Sequence, residues 1–237
     1  IVVNLSLGAQ TGAHDGTDPL EIAIDSFTDT AAGRIVIVAS GNENGENIHK
    51  QIALAANTTT SINLQVPAAT ASTSQDVFQF TLYANDTSAI TALVTAPDGT
   101  QASSLSTNGT SVFGGKARDF ITNLVDPESG DRKVQVYVTR ATTTTDVTGS
   151  WSISLTNATS NALTIDGWLD TKGDDFWDIT LTGGDSNYLV GTPGSATKAI
   201  TVGAYMAKID WYGASKDSSG NIVYAGYNFS TGTQDNI

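Results

Sequence analysis

Ile35-Val36-Ile37-Val38-Ala39-Ser40-Gly41-Asn42-Glu43 begins with four β-branched residues and runs into a turn of small and polar ones. An unbroken apolar run of this length reads as a buried parallel strand, because a strand with one wet face would alternate. Just upstream, Gly33 can take the positive φ of a helix C-terminus and so marks a stop. The matching start is Asp18-Pro19-Leu20-Glu21: Asp18 caps, Pro19 suits the first helical position, and Glu21 stands where a capping box places its carboxylate. Leu20, Ala23, Ile24, Phe27 and Ala31 recur between them at helical spacing. Further upstream, Ile1-Val2-Val3-Asn4-Leu5-Ser6-Leu7 reads as another strand covered on both faces. Strand, helix and strand make a βαβ unit, whose right-handed crossover leaves both strands parallel. Their carboxyl ends then share one edge, where open α/β sheets bind ligands, so Ser6-Leu7-Gly8 and Ser40-Gly41-Asn42 are expected to flank a site.

From about residue 50 the period changes to two. Ile62/Leu64/Val66, Phe78/Phe80/Leu82, Val134/Val136/Val138, Trp151/Ile153/Leu155 and Trp177/Ile179/Leu181 alternate with polar residues, as antiparallel strands with one wet face do. Ala96-Pro97-Asp98-Gly99 and Asp126-Pro127-Glu128-Ser129-Gly130 supply turns between them. After Gly183-Gly184 the buried-strand pattern returns in Ala199-Ile200-Thr201-Val202-Gly203. The expected fold class is mixed and mainly β: an antiparallel, jelly-roll-like β-sandwich over 50–184, inserted into a partial α/β parallel sheet built from 1–49 and 185–237. The chain opens on what reads as a core strand, which suggests an internal piece of a longer protein.

Acidic residues outnumber basic ones 24 to 11, which argues against a nucleic-acid partner. No apolar stretch approaches the roughly 18 residues a membrane helix needs, so no membrane partner is expected. There is no cysteine, hence no disulfide, and the Thr-rich, Lys-poor composition points toward export: secreted or at a bacterial cell surface.

Three segments resemble the subtilase family of serine proteases. Val3-Asn4-Leu5-Ser6-Leu7-Gly8 resembles its substrate-binding strand, and Ile35 to Glu43 the strand that ends in the oxyanion asparagine. Gly191-Thr192-Pro193-Gly194-Ser195, followed by Ala199-Ile200-Thr201-Val202-Gly203-Ala204, is similar to its Pro-Gly turn and next core strand. Asp76-Val77-Phe78-Gln79-Phe80 and Gly149-Ser150-Trp151-Ser152-Ile153 resemble the jelly-roll insert of clostridial, Csp-like members. The resemblance implies a parent that hydrolyses peptide bonds, with a polypeptide as substrate and the rest of the protease domain as partner. It makes Asn42 the side-chain donor to the developing oxyanion, or, on a purely structural reading, an asparagine bonded to its own turn. Ser6, Leu7 and Gly8 would pair with an extended substrate, with Ala39, Ser40 and Gly41 as the opposite wall of the first specificity pocket. Glu43 would either favour basic substrate side chains or simply be solvated.

A serine nucleophile needs a histidine base and an orienting carboxylate. The chain has two histidines: His14 reads as part of a surface loop and His49 as a hydrogen-bonded structural residue, so this piece is expected not to hydrolyse peptides by itself. No cofactor is expected. Calcium stays open at Asp170, Asp174, Asp175 and Asp178, which lack EF-hand spacing and read more simply as a solvated acidic loop. Trp168 and Trp177 suggest core, or else a sugar platform. The alternative for the whole is a non-catalytic sandwich that binds protein or glycan within a degenerate subtilase.

Overall fold

The computed structural model describes residues 1–68, 75–104, 109–113, 117–172, 179–204, 210–216, 222–228 and 233–236. In chain order the elements are β1 (Val2–Leu5), α1 (Pro19–Asp29), β2 (Ile35–Ala39), β3 (His49–Leu54), β4 (Thr58–Val66), β5 (Asp76–Ala84), β6 (Ile90–Thr95) and β7 (Gln101–Ser104). They continue with β8 (Gly109–Phe113), β9 (Ala117–Val125), β10 (Arg132–Arg140), β11 (Gly149–Asn157), β12 (Leu163–Lys172), β13 (Thr180–Leu181) and β14 (Ile200–Val202). Two compact units result, Ile1–Val202 and Gly203–Ile237. The second holds a three-stranded antiparallel sheet of β15 (Asp210–Lys216), β16 (Ile222–Asn228) and β17 (Thr233–Asn236).

The helix starts where its local chemistry dictates. Asp18 accepts from the Leu20 N–H at 2.9 Å, and its own N–H donates to Glu21 Oε2 at 3.2 Å, closing the capping box. The last turn closes sooner than the apolar spacing suggests, with Thr30 as C-cap. Leu20 is 45% exposed, so the buried stripe narrows to Glu21 and Ile24, with Phe27 partly covered.

β1 and β2 pair in parallel with Leu5 opposite Val38, and β14 joins the far side of β2 with Val202 opposite Ala39. Val3, Leu5, Val36 and Val38 face α1 and form a small core with Ile24 and Ala196. The opposite face departs from the expectation of strands covered on both sides. Val2 is 65% exposed, and Ile200 and Val202 are each 52% exposed. Within the first unit no described element supplies that second layer.

The remaining strands of the first unit form two antiparallel sheets, ordered β3-β12-β5-β10-β9-β8 and β13-β4-β11-β6-β7. Their inner faces meet in one core, with Ile62, Leu64 and Val66 from β4, Phe78 and Phe80 from β5, and Trp151 and Ile153 from β11 all buried. Outward residues of β4 and β11 pair through hydroxyls: Thr59 meets Thr156 and Ser61 meets Ser154, each at 2.8 Å. Alternation in the sequence thus sorts β4 and β11 into a core face and a polar face, whereas β5 departs from the expected single wet face: Val77, Thr81 and Tyr83 are buried along with Phe78, Phe80 and Leu82. The segment read as Trp177/Ile179/Leu181 shrinks to the two-residue β13, and Trp177 lies outside the described residues. The fold is therefore mainly β, with one parallel and several antiparallel sheets.

Entry to the two antiparallel sheets and exit from them run side by side. The His49 N–H donates to the Asp185 carbonyl at 3.2 Å, and the Asp185 N–H returns a bond to the His49 carbonyl at 2.7 Å.

Candidate functional site

The parallel pairing of β1 and β2 brings Ser6, Leu7 and Gly8 next to Ala39, Ser40 and Gly41 at one sheet edge. Ser6, Leu7 and Gly8 are exposed there, and so is Asn42. Among the described residues no hydrogen bond restrains the Asn42 side-chain amide, whereas its backbone N–H donates to Glu43 Oε2 at 2.7 Å. The sequence-derived site residues thus follow the carboxyl ends of two paired parallel strands.

A third segment joins these two. The Ala9 N–H donates to the Thr192 carbonyl at 2.9 Å, fastening the end of the first wall to the Gly191–Gly194 turn, whose Thr192–Pro193 peptide is cis. Gly191 permits this approach: a Cβ there would stand 2.1 Å from the Ala9 carbonyl oxygen. Glu21, 1% exposed, extends its role beyond the cap. Its Oε1 accepts from Ser195 Oγ and, at 3.4 Å, from Thr192 Oγ1, so the helix start also holds the turn. Gly191→Ala should therefore destabilise the protein by about 1–3 kcal/mol through backbone overpacking, measurable as a lower midpoint in urea unfolding.

Beside Gly41 lies a cleft of about 390 Å³ lined on one side by Ser40, Gly41, Glu43 and Asn44 and on the other by Ser186–Val190. Glu43 and Tyr188 both line it, the latter 64% exposed with φ at +51°. Tyr188 is held from behind: its carbonyl accepts from His14 Nδ1 at 2.9 Å and from Trp168 Nε1 at 3.0 Å. The surface loop expected around His14 is a loop, but its ring is tucked in, 4.1 Å from that of Trp168 with Nε2 buried and unpartnered among the described residues. Burial holds the His14 imidazole below its ordinary pKa of 6.5, the bond to the Tyr188 carbonyl opposing this and the nearby His49 adding to it.

Since the unfolded chain titrates near 6.5 and the native ring lower, the unfolded state takes up more protons as pH falls. The stability contributed by neutral His14 is complete above about pH 6.5 and is lost as pH drops from there through the depressed native value. Thermal melts at pH 7.5 and 5.5 should show this loss in the native sequence and a smaller one in His14→Phe.

His49 is fully buried with both ring nitrogens occupied, Nδ1 by Asp185 at 2.7 Å and Nε2 by Asp166 at 3.1 Å. This matches its reading as a structural histidine. Burial alone would raise the Asp185 carboxyl, but hydrogen bonds from His49 and the Asn187 N–H outweigh it and hold it below the usual range. Trp168, at 3% exposure, is core rather than a sugar platform. Asp170 accepts from Gln79 and is raised by burial, while Asp174, Asp175 and Asp178 lie outside the described residues. Among the described residues no group of three or more His, Cys, Asp or Glu is placed to hold a metal ion. No described helix is long and apolar enough to cross a membrane.

Three residues around the cleft carry no signal in the sequence: Tyr188 and Leu189, which line it, and Gln10, which bonds Glu43 and Leu189. Each is recruited by contacts between residues far apart in the chain, which no local pattern records.

Comparison with known proteins bears on the fold and the family. Among solved structures the chain is similar to the CspB protease of Clostridium perfringens, with a TM-score of 0.71 and 18% identity over 86% of this chain. At that identity the likeness concerns the fold, and the chain spans 41% of that protein's length. No curated protein sequence matches. The profile of the subtilase family matches residues 1–162, which include β1 and β2, the capped helix and the Asn42 turn. The chain belongs to the subtilase family of peptidases.

Proposed function

We propose that this chain supplies the oxyanion donor and the cleft walls of a secreted serine endopeptidase whose nucleophile, base and orienting carboxylate come from other segments. The observation that supports this best is the placement of Asn42: exposed, just past the carboxyl end of β2, whose parallel neighbour β1 leads into Ser6–Gly8. When a peptide carbonyl is attacked its oxygen gains negative charge, and an amide held at that spot stabilises the charge without reorganising. Ser6, Leu7 and Gly8 offer backbone groups to an extended substrate, and Ala39, Ser40 and Gly41 form the facing wall with room for a side chain. Glu43, sharing a cleft with the Tyr188 ring, favours basic substrate side chains.

His14 and His49 are committed to packing contacts, so this chain by itself is inactive. Residues 50–184 act as an inserted sandwich that stiffens the cleft, a role consistent with the paired entry and exit at His49 and Asp185. The remainder of the protease domain covers the open face around Val2, Ile200 and Val202.

Treating the full-length protein with a fluorophosphonate probe, and assaying cleavage of an unfolded protein, tests the reading. One labelled serine and cleavage abolished by the label are expected, with no label on this chain alone. An unlabelled full-length protein that cleaves nothing would overturn it and favour a binding module.

A further inference from the structure

Gln10 sits two residues beyond the Ser6–Gly8 wall, and it is 5% exposed. A side-chain amide nitrogen carries two hydrogens, and both are used: Nε2 donates to Glu43 Oε2 at 3.3 Å and to the Leu189 carbonyl at 2.9 Å. The same Glu43 oxygen accepts the Asn42 backbone N–H at 2.7 Å. One amide therefore ties together the loop after β1, the turn after β2 and the segment that leads into Gly191. Rotating it by half a turn would set its oxygen against a carboxylate and a carbonyl, so the observed orientation is the only favourable one.

That orientation has a cost. Gln10 Oε1 is left buried with no partner among the described residues, a destabilising arrangement of the kind that calls for an explanation. Gly41 supplies one. It precedes Asn42 with φ at +108°, in a region where glycine moves freely, and the Glu43 carboxylate packs where a Cβ on Gly41 would come within 2.4 Å. Without an external restraint the Asn42 turn would pivot at this glycine. A charge-assisted bond from the Asn42 N–H to Glu43, with Glu43 itself anchored by Gln10, removes that freedom.

We infer that Gln10 is a positioning residue that fixes the Asn42 turn through Glu43. The inference rests on the proposed role of Asn42 as oxyanion donor and goes beyond it by naming what aims the donor. Gln10 does not touch substrate; it acts on the rate through another residue.

The test is a double-mutant cycle in the full-length peptidase. Gln10→Met removes both donors at similar volume. It should lower kcat on the order of tenfold, as misplacement of a catalytic group does, with KM within about twofold. In an Asn42→Ala background the same substitution should change kcat by less than about twofold, because there is no donor left to aim. The milder Gln10→Asn, whose amide is one methylene too short to span both acceptors, gives the same comparison should Gln10→Met not fold. An undiminished Gln10 effect in the Asn42→Ala background, or a full Asn42 effect with none from Gln10, overturns the tether alone. If Asn42→Ala leaves kcat unchanged, the reading of Asn42 falls and the tether with it.

Discussion

Asn42→Ala should lower kcat of the full-length peptidase by about 10²–10³ with little change in KM, a loss of roughly 2.7–4 kcal/mol of transition-state stabilisation. The magnitude is that of a relative in the same family. The KM part follows from the geometry. On the proposed reading Asn42, exposed just past the end of β2, is not one of the wall residues, which are Ser6–Gly8 and Ala39–Gly41. A donor that engages only the developing charge affects the transition state and not the bound substrate. Steady-state kinetics on a peptide substrate separates the two parameters. A loss that appears only in KM would assign Asn42 to substrate binding and remove it from the chemistry.

The largest effect on stability is expected at Trp151. Its side chain is 1% exposed in the core between the two antiparallel sheets. Its indole N–H donates to the Val147 carbonyl at 3.0 Å, and its ring meets that of Phe78 edge-on at 5.8 Å. Trp151→Ala opens a cavity and leaves that carbonyl without its donor, so unfolding should become easier by about 3–5 kcal/mol. Trp151→Phe keeps most of the volume and should cost clearly less. Urea unfolding of this chain measures both, and a Trp151→Ala cost below about 1.5 kcal/mol would mean that the two sheets do not share one close-packed core.

What the sequence discloses follows the range of the interactions concerned. The capped start of α1 is legible because Asp18, Pro19 and Glu21 act on one another within a single turn. The adjacency of Ser6–Gly8 and Ser40–Asn42 is legible too, since a strand, a helix and a second β-branched strand leave few ways to pair. The antiparallel strands announce themselves by alternation that the register preserves, as where Ile153 faces Ile62 and Val94.

Other features depend on partners far along the chain. The apolar run of β1 does not say that one of its faces stays open, because periodicity reports a strand's suitability for burial and not the neighbour that buries it. Gln10 has no special local context, and its partners are 33 and 179 residues away. The loop around His14 looks polar and exposed in sequence, yet Trp168 and the Tyr188 carbonyl draw its ring inward. Glu21 reads as a capping residue and is one, but its second carboxylate oxygen serves the distant Thr192–Ser195 turn.

All of the functional reading depends on where the Asn42 amide points when a substrate is attacked. A crystal structure of the full-length protein with a peptidyl boronate bound to its serine examines this directly. The inhibitor backbone is expected to lie extended beside Ser6–Gly8, with a boronate oxygen about 2.7–3.1 Å from Asn42 Nδ2. A boronate oxygen held by other donors, with the Asn42 amide turned away from it, would contradict the account.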